Sequence, residues 1–151
     1  VSAGTLTETN ATTPAVSATL NGTDQTLPYT LVITTTDATG SGNGWNLTIT
    51  STTFTTTSPV HTLATTASSL TGVTSACVVS TTCTNPTNAI TYPVGVPAAG
   101  TAPTAVKFFN AAVNTGIGKF TITPTVSIAI PASTYAGSYT STITLAVVSG
   151  P

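Results

Sequence analysis

Charged side chains are almost absent from this chain of 151 residues, which has a formal net charge of -1. The only basic residues are Lys107 and Lys119, and the only acidic ones are Glu8, Asp24 and Asp37. Nucleic-acid binding requires clustered Lys and Arg that neutralise phosphates, and an anionic membrane surface requires a similar basic patch. The sequence therefore argues against both partners. A soluble domain normally carries about a quarter charged residues, and their shortage removes the repulsion that keeps identical copies apart.

Groups that could perform catalysis or bind a metal are equally scarce. His61 is the only histidine, and no Gly-x-Ser-x-Gly turn is present. The three acidic residues are too scattered for a glycosidase pair or a calcium site, and the two cysteines lack companions that could complete a zinc site. We expect no catalytic residue, cofactor or metal, so the protein is predicted not to be an enzyme. His61 is interpreted as a surface or packed side chain, and Asp37 as the cap of a glycine-rich turn.

The chain also lacks any apolar run near the roughly 18 residues of a membrane-spanning helix. No secretory leader is present, and we expect Val1 to be a mature N-terminus left by its cleavage. Cys77 and Cys83 are the only cysteines, and an even number in a hydroxyl-rich chain favours one disulfide in an oxidising compartment. Two buried free thiols are the alternative. These features predict a secreted, extracellular or cell-surface protein.

Threonine makes up about a quarter of the residues and favours β-structure, because its branched Cβ suits a pleated surface. The clearest strand begins at Trp45 and alternates apolar with polar residues, Trp45, Leu47 and Ile49 against Asn46, Thr48 and Thr50. Glycines 40, 42 and 44 precede it and supply the positive φ angles of a tight connection. Trp45 and Leu47 are therefore predicted to lie at the centre of the core, and the alternative is an exposed Trp45 that stacks on a sugar.

Further alternating segments are separated by turn signals. We predict strands over 15–20, 27–36, 45–54, 118–130 and 139–148, and a short strand or irregular segment at 105–113. Residues 55–105, interrupted by prolines, are predicted to be irregular, a long connection with short strands that the Cys77–Cys83 link pins. No helical period is sustained, so the predicted fold is all-β, an antiparallel β-sandwich of Ig-like type. Residues 14–151 are assigned to one domain, and residues 1–13 to an extended N-terminal arm, either loose or a strand completed by another element.

Three Asn-x-Thr sequons begin at Asn10, Asn21 and Asn46. Asn21 lies in a predicted turn, and Asn46 lies on the face of its strand opposite Trp45, so both are predicted to have room for a glycan. Chance matches are expected in a threonine-rich chain. A glycan on a sequon, or on threonine hydroxyls, would nevertheless solubilise a surface that lacks charge.

The Trp45 strand and the C-terminal part of the chain carry a family resemblance. Trp45-Asn46-Leu47 follows Asp37 and a glycine-rich turn, and the segments 110–118, 130–131 and 135–145 precede a closing Gly150-Pro151. This arrangement resembles the WxL domain, whose first Trp-x-Leu motif lies in such a strand. The second motif is replaced by Leu145-Ala146-Val147. The resemblance implies an extracellular β-sandwich; in that family it also implies non-covalent binding to the peptidoglycan of Gram-positive bacteria.

Two functions are predicted. The first is a secreted structural subunit of a pilus-like filament or surface layer, in which an open sheet edge accepts a strand from the next copy. Residues 1–13 are the candidate donor strand, with Val1 and Leu6 as anchors, and head-to-tail contacts of this kind give a homopolymer. The alternative, implied by the WxL resemblance, is a module that binds peptidoglycan or another cell-wall glycan.

Overall fold

The computed structural model describes residues 1–151 and contains ten β-strands and no helix, so it has no helix that could cross a membrane. The strands form two sheets that pack face to face, which confirms the predicted β-sandwich. In chain order they are β1 (Leu6–Asn10), β2 (Gln25–Thr30), β3 (Ile33–Asp37), β4 (Trp45–Thr52), β5 (Ser68–Cys77), β6 (Val94–Gly95), β7 (Ala98–Ala99), β8 (Val106–Ala111), β9 (Gly118–Ile130) and β10 (Ile143–Ser149).

The long strand β9 is the centre of the first sheet. It pairs with β5 along one side and with both β2 and β3 along the other, always antiparallel. β1 extends this sheet beyond β3, and β6 extends it beyond β5. The predicted strand 27–36 is thus divided into β2 and β3. The break lies opposite the bend at Pro124, whose carbonyl accepts a hydrogen bond of 3.1 Å from the amide of Leu31.

The Trp45 strand, β4, is the centre of the second sheet. β10 lies antiparallel along one side, while antiparallel β8 and the short parallel β7 share the other. Residues 87–92 cover the outer edge of β8. There the amide of Asn110 donates to Asn88 Oδ1 at 3.0 Å, and Tyr92 Oη donates to the carbonyl of Phe108 at 2.7 Å. This cover closes the edge to strand addition by another chain.

The core lies between the two sheets, as the alternation in β4 predicts. Trp45, Leu47 and Ile49 are almost completely buried. Each such side chain contributes roughly 1.5–3 kcal/mol relative to its exposed state. The opposite, polar face of β4 is also partly covered, although the alternation predicts that it faces solvent. Thr50 on that face is buried, and its hydroxyl donates to the carbonyl of Pro103 at 2.7 Å.

The first 24 residues differ from the prediction. Residues 6–10 are not a free arm, because they form β1 and pair with β3 of the same domain. The half-buried Leu6 packs against the core, whereas Val1 is exposed. The strand predicted over 15–20 is absent. Residues 11–24, here called the strap, make no main-chain to main-chain hydrogen bond.

Residues 55–105 are more regular than predicted. They include the ten-residue strand β5, whose side chains are mostly small or polar and therefore show little alternation. Pairing with the central strand β9 makes this segment a strand, with a bulge between Leu70 and Gly72. At its end Cys77 and Cys83 form the predicted disulfide, with their Cα atoms 6.0 Å apart.

Candidate functional site

The signature tryptophan lies inside one end of the sandwich and cannot touch a ligand. Trp45 is 0% exposed, and its indole Nε1 donates to the carbonyl of Gly116 at 2.8 Å. Its ring lies 5.8 Å from the ring of Phe109 and 6.3 Å from that of Phe120. Gly116 has a φ of +68°, and a Cβ there would collide with Ala111 and lie 2.7 Å from Trp45 Nε1. Only glycine fits this close approach.

The segment that replaces the second Trp-x-Leu motif lies directly beside the first. In the pairing of β10 with β4, Leu145 lies opposite Ile49 and Val147 lies opposite Leu47. Leu145 and Val147 are half-buried and pack against the core. Aliphatic side chains therefore provide the inward contacts at this position, and neither motif position presents an aromatic ring to solvent.

The prediction that Asn46 has room for a glycan is wrong for the folded domain. Asn46 is 3% exposed, and its Nδ2, the atom that would carry the sugar, donates to the carbonyl of Gly150 at 2.7 Å. The C-terminal segment covers the face of β4 that the alternation leaves polar. Asn10 and Asn21 are exposed, and the Oδ1 of each accepts a bond of 2.8 Å from the threonine hydroxyl two residues on. They remain the predicted glycosylation positions.

A shallow depression of about 430 Å³ lies near the disulfide, and four of its ten lining residues are threonines. The buried Asp37 borders it, and its Oδ1 accepts bonds from the amide and hydroxyl of Thr39, at 3.0 and 2.7 Å. This is the turn-capping role predicted for Asp37. The structure contains no group of three or more His, Cys, Asp or Glu that could hold a metal ion.

A larger cleft, of about 1190 Å³, lies at the other end of the sandwich and is lined in part by the strap. β2 and β9 supply Leu27, Tyr29, Ile128 and Ile130 to its apolar walls, and Leu31, Phe54, Leu63 and Ile143 complete them. Hydroxyl groups of the segment 134–142 form a polar rim. No charged residue lines the cleft. Clefts of this composition, apolar walls with a few polar groups, are typical of ligand sites.

Tyr135 lines the cleft, and His61, which lies outside the lining, packs against it. The rings of Tyr135 and His61 are stacked, with centroids 4.0 Å apart and planes 7° from parallel. Tyr135 is 65% exposed, which is unusual for so large a ring in a domain with few exposed aromatics. The hydroxyl of Tyr139 donates to the carbonyl of Tyr135 at 2.9 Å and fixes that backbone.

The loop under His61 is held by one buried threonine. The amide of His61 donates to Thr56 Oγ1 at 2.7 Å, and that hydroxyl donates to the carbonyl of Pro59 at 2.7 Å. The amide of Thr56 donates to the carbonyl of His61 at 2.9 Å. His61 is therefore a packed histidine, one of the two environments predicted for it; its backbone is fixed by Thr56 and its ring stacks on Tyr135. We call Tyr135 and His61 the platform.

Tyr29 lies on the floor of the cleft and stays uncharged over the whole physiological pH range. Burial raises the pKa of its phenol to about 12. The cleft therefore presents a neutral phenol to any occupant. Together with the uncharged walls, it makes the site suited to a ligand that carries no net charge.

Sequence reasoning did not identify the platform. Its two residues are far apart in the chain and belong to no spacing motif, so only the fold brings them together. One signal was available: Tyr135 is a large aromatic residue within the small-residue corner 131–138, where no alternation requires it. Loops that carry such residues are often functional.

An all-β sandwich with a disulfide is typical of domains from oxidising, extracellular compartments. The comparison with family models identifies which one: the model described as WxL domain surface cell wall-binding matches residues 3–151. The chain belongs to the WxL domain family, and it is a cell-surface protein. A search of curated proteins and a search of solved structures each found no match.

Proposed function

We propose that this domain attaches its polypeptide non-covalently to the bacterial cell wall, and that the cleft under the strap is the attachment surface. The observation that carries the proposal is the contrast between the two ends of the sandwich. The family signature at Trp45 is fully buried, whereas the opposite end is open, apolar and uncharged. The role of Trp45 is then to hold β4 and the loop at Gly116 together, and it contacts no ligand.

This function requires no chemical step. The cleft brings together apolar walls, hydroxyls and one aromatic platform, but no ionisable pair suited to proton transfer. We infer a binding role without catalysis. Peptidoglycan, the wall component that the family resemblance implies, supplies both sugar rings and short peptides as possible contacts.

Co-sedimentation with purified insoluble cell wall tests the proposal. The native cysteines are paired, so a new cysteine at an exposed position can carry a bulky maleimide label. Val16→Cys places the label on the strap at the cleft, and Val113→Cys places it near the Trp45 end as a matched control. We expect labelled Val16→Cys to lose wall binding and labelled Val113→Cys to keep it.

The two parts of this proposal fail in different ways. If both labelled variants still pellet with the wall, the cleft is not the attachment surface. If the unmodified protein stays in the supernatant, wall attachment itself is wrong.

One observation favours a filament subunit as the second candidate. β1 pairs only with β3, and the strap that joins β1 to β2 has no main-chain hydrogen bonds to lose. β1 could therefore pair with β3 of the next copy and keep every hydrogen bond that it now makes, which is strand exchange through residues 1–13. Leu6 would be the anchor, since Val1 contacts no core residue.

Negative-stain microscopy and sedimentation velocity test this second candidate. Full-length protein should form filaments, and protein that lacks residues 1–13 should not. Filaments of the shortened protein, or a monomeric full-length protein at every concentration, would reject exchange through β1.

A further inference from the structure

We propose that Tyr135 and His61 form a stacking surface for a pyranose ring, so that the wall ligand is an uncharged glycan chain and not an anionic wall polymer. The inference rests on the proposed function, because it names the ligand class of the same cleft. It depends on three features of the site: the geometry of the platform, the chemistry of the rim and the distribution of charge.

The platform has the geometry that a sugar ring requires. Stacking on His61 covers one face of Tyr135, yet 65% of the residue remains accessible, so the other face of its ring is free. The C–H face of a pyranose is apolar and flat on the scale of a phenol ring, so removing both from water is favourable. The bonds from Thr56 and Tyr139 hold the backbone of His61 and Tyr135, and the two rings stack on each other, so less entropy is lost on association.

The rim supplies the polar part of the same recognition. Thr134, Ser138 and Thr142 line the cleft in the same segment as Tyr135. Thr140 and Ser141 also line it, although their hydroxyls donate to the carbonyls of Thr55 and Thr52. A hydroxyl both donates and accepts hydrogen bonds, as the hydroxyls and acetamido groups of a sugar also do. An aromatic surface beside neutral hydroxyls therefore matches a ligand whose faces are apolar and whose edges are polar.

The charge distribution disfavours an anionic ligand. Lys107 Nζ donates to the carbonyl of Pro151 at 2.8 Å, and Lys119 lies near the start of β9 at the disulfide end. Neither lysine lines the cleft, and no arginine exists in the chain. Phosphate-rich polymers need such cations to offset their desolvation. Their absence from the cleft leaves a neutral glycan as the better match.

The test compares two wall preparations and one soluble glycan. Intact wall and wall treated with hydrofluoric acid, which removes phosphodiester-linked polymers, are used for co-sedimentation. A soluble β-1,4-linked N-acetylglucosamine oligosaccharide is titrated by NMR on the tyrosine ring signals. We expect equal binding to both walls, little change between low and high salt because no ion pair forms, and movement of the Tyr135 signals.

Variants of the platform complete the test. Tyr135→Ala should weaken wall binding about tenfold or more, the usual effect of losing one stacked ring. Tyr135→Phe should retain binding because its ring is kept, and Val113→Ala is a control for an exposed apolar residue away from the cleft. Melting temperatures of all three should stay near that of the wild type, since the altered side chains are exposed.

Each outcome has one meaning. Loss of binding on acid treatment of the wall, or a Tyr135→Ala variant that binds within twofold of the wild type, overturns the neutral-glycan inference and leaves wall attachment intact. Failure of the wild type to bind either wall overturns the proposed function. In that case movement of the Tyr135 signals with the oligosaccharide would still support the platform, and its absence would reject it.

Discussion

Replacement of Trp45 by phenylalanine should destabilise the domain strongly, because Trp45 joins β4 to the loop before β9. The smaller ring removes the indole N–H and leaves the buried carbonyl of Gly116 without its donor at 2.8 Å. An unsatisfied buried acceptor costs about 1–3 kcal/mol. The lost volume, roughly 40 Å³, adds about 1 kcal/mol at the usual cavity coefficient. The expected loss in unfolding free energy is therefore about 2–4 kcal/mol.

Urea unfolding followed by far-UV circular dichroism measures this loss, since Trp45→Phe removes the only tryptophan available for fluorescence. For a domain of this size the melting temperature should fall by roughly 10 °C. Phe109→Leu is the matched control, because it removes buried volume beside Trp45 without removing a hydrogen-bond donor. It should destabilise the domain by only about 1–1.5 kcal/mol.

Two results would refute this reasoning. A Trp45→Phe variant that melts within about 2 °C of the wild type would show that the Trp45–Gly116 bond contributes little. Equal losses in Trp45→Phe and Phe109→Leu would show that volume alone matters and that the indole N–H does not.

Three further predictions concern single side chains. The Glu8 carboxyl is partly buried, and its Oε2 has no hydrogen-bond partner. Burial raises the pKa of this carboxyl, so its protonated form stabilises the folded state. That stabilisation is fully present below pH 4.5, the ordinary pKa, and is lost as the pH rises through the pKa of the folded state. Glu8→Gln should therefore reduce the fall in melting temperature between about pH 4 and pH 7, and unchanged pH dependence would contradict this. Burial raises the pKa of Tyr29 to about 12, so the free energy of unfolding should decline as the pH rises from 10.0 to about 12. The free energy of unfolding of the Tyr29→Phe variant should decline less over the same range, because that variant has no phenol to ionise. Asn88→Ala leaves the amide of Asn110 without its acceptor, so it should lower the unfolding free energy by about 1–3 kcal/mol. A loss below about 0.5 kcal/mol would show that the segment covering β8 does not stabilise the fold.

The sequence predicts those parts of the fold in which a local pattern and the tertiary environment agree. In β4 the alternation of Trp45, Leu47 and Ile49 and the preceding positive-φ glycines were both readable, and the structure confirms both. In β5 the side chains are mostly serine, threonine and glycine, so its strand character comes from pairing with β9 and not from its own pattern. The strand predicted within the strap is wrong for the opposite reason, because residues 15–20 alternate well but have no partner strand.

Most of the candidate site could not be predicted from the sequence, because its contacts join residues that are far apart in the chain. Burial of Asn46 depends on the C-terminal Gly150, and the platform depends on two loops that meet only in the folded chain. The chemistry that the site lacks was easier to predict. Five charged residues and one histidine already limit what any surface of this protein can do.

Wall affinity of two variants tests the central claim most directly, that the buried tryptophan maintains the fold while the open end binds. Trp45→Phe, Tyr135→Ala and the wild type are titrated against purified wall at a temperature where all three are folded. We predict that Trp45→Phe binds as the wild type does and that Tyr135→Ala binds about tenfold more weakly. Weakened binding by folded Trp45→Phe together with unchanged binding by Tyr135→Ala would contradict the account.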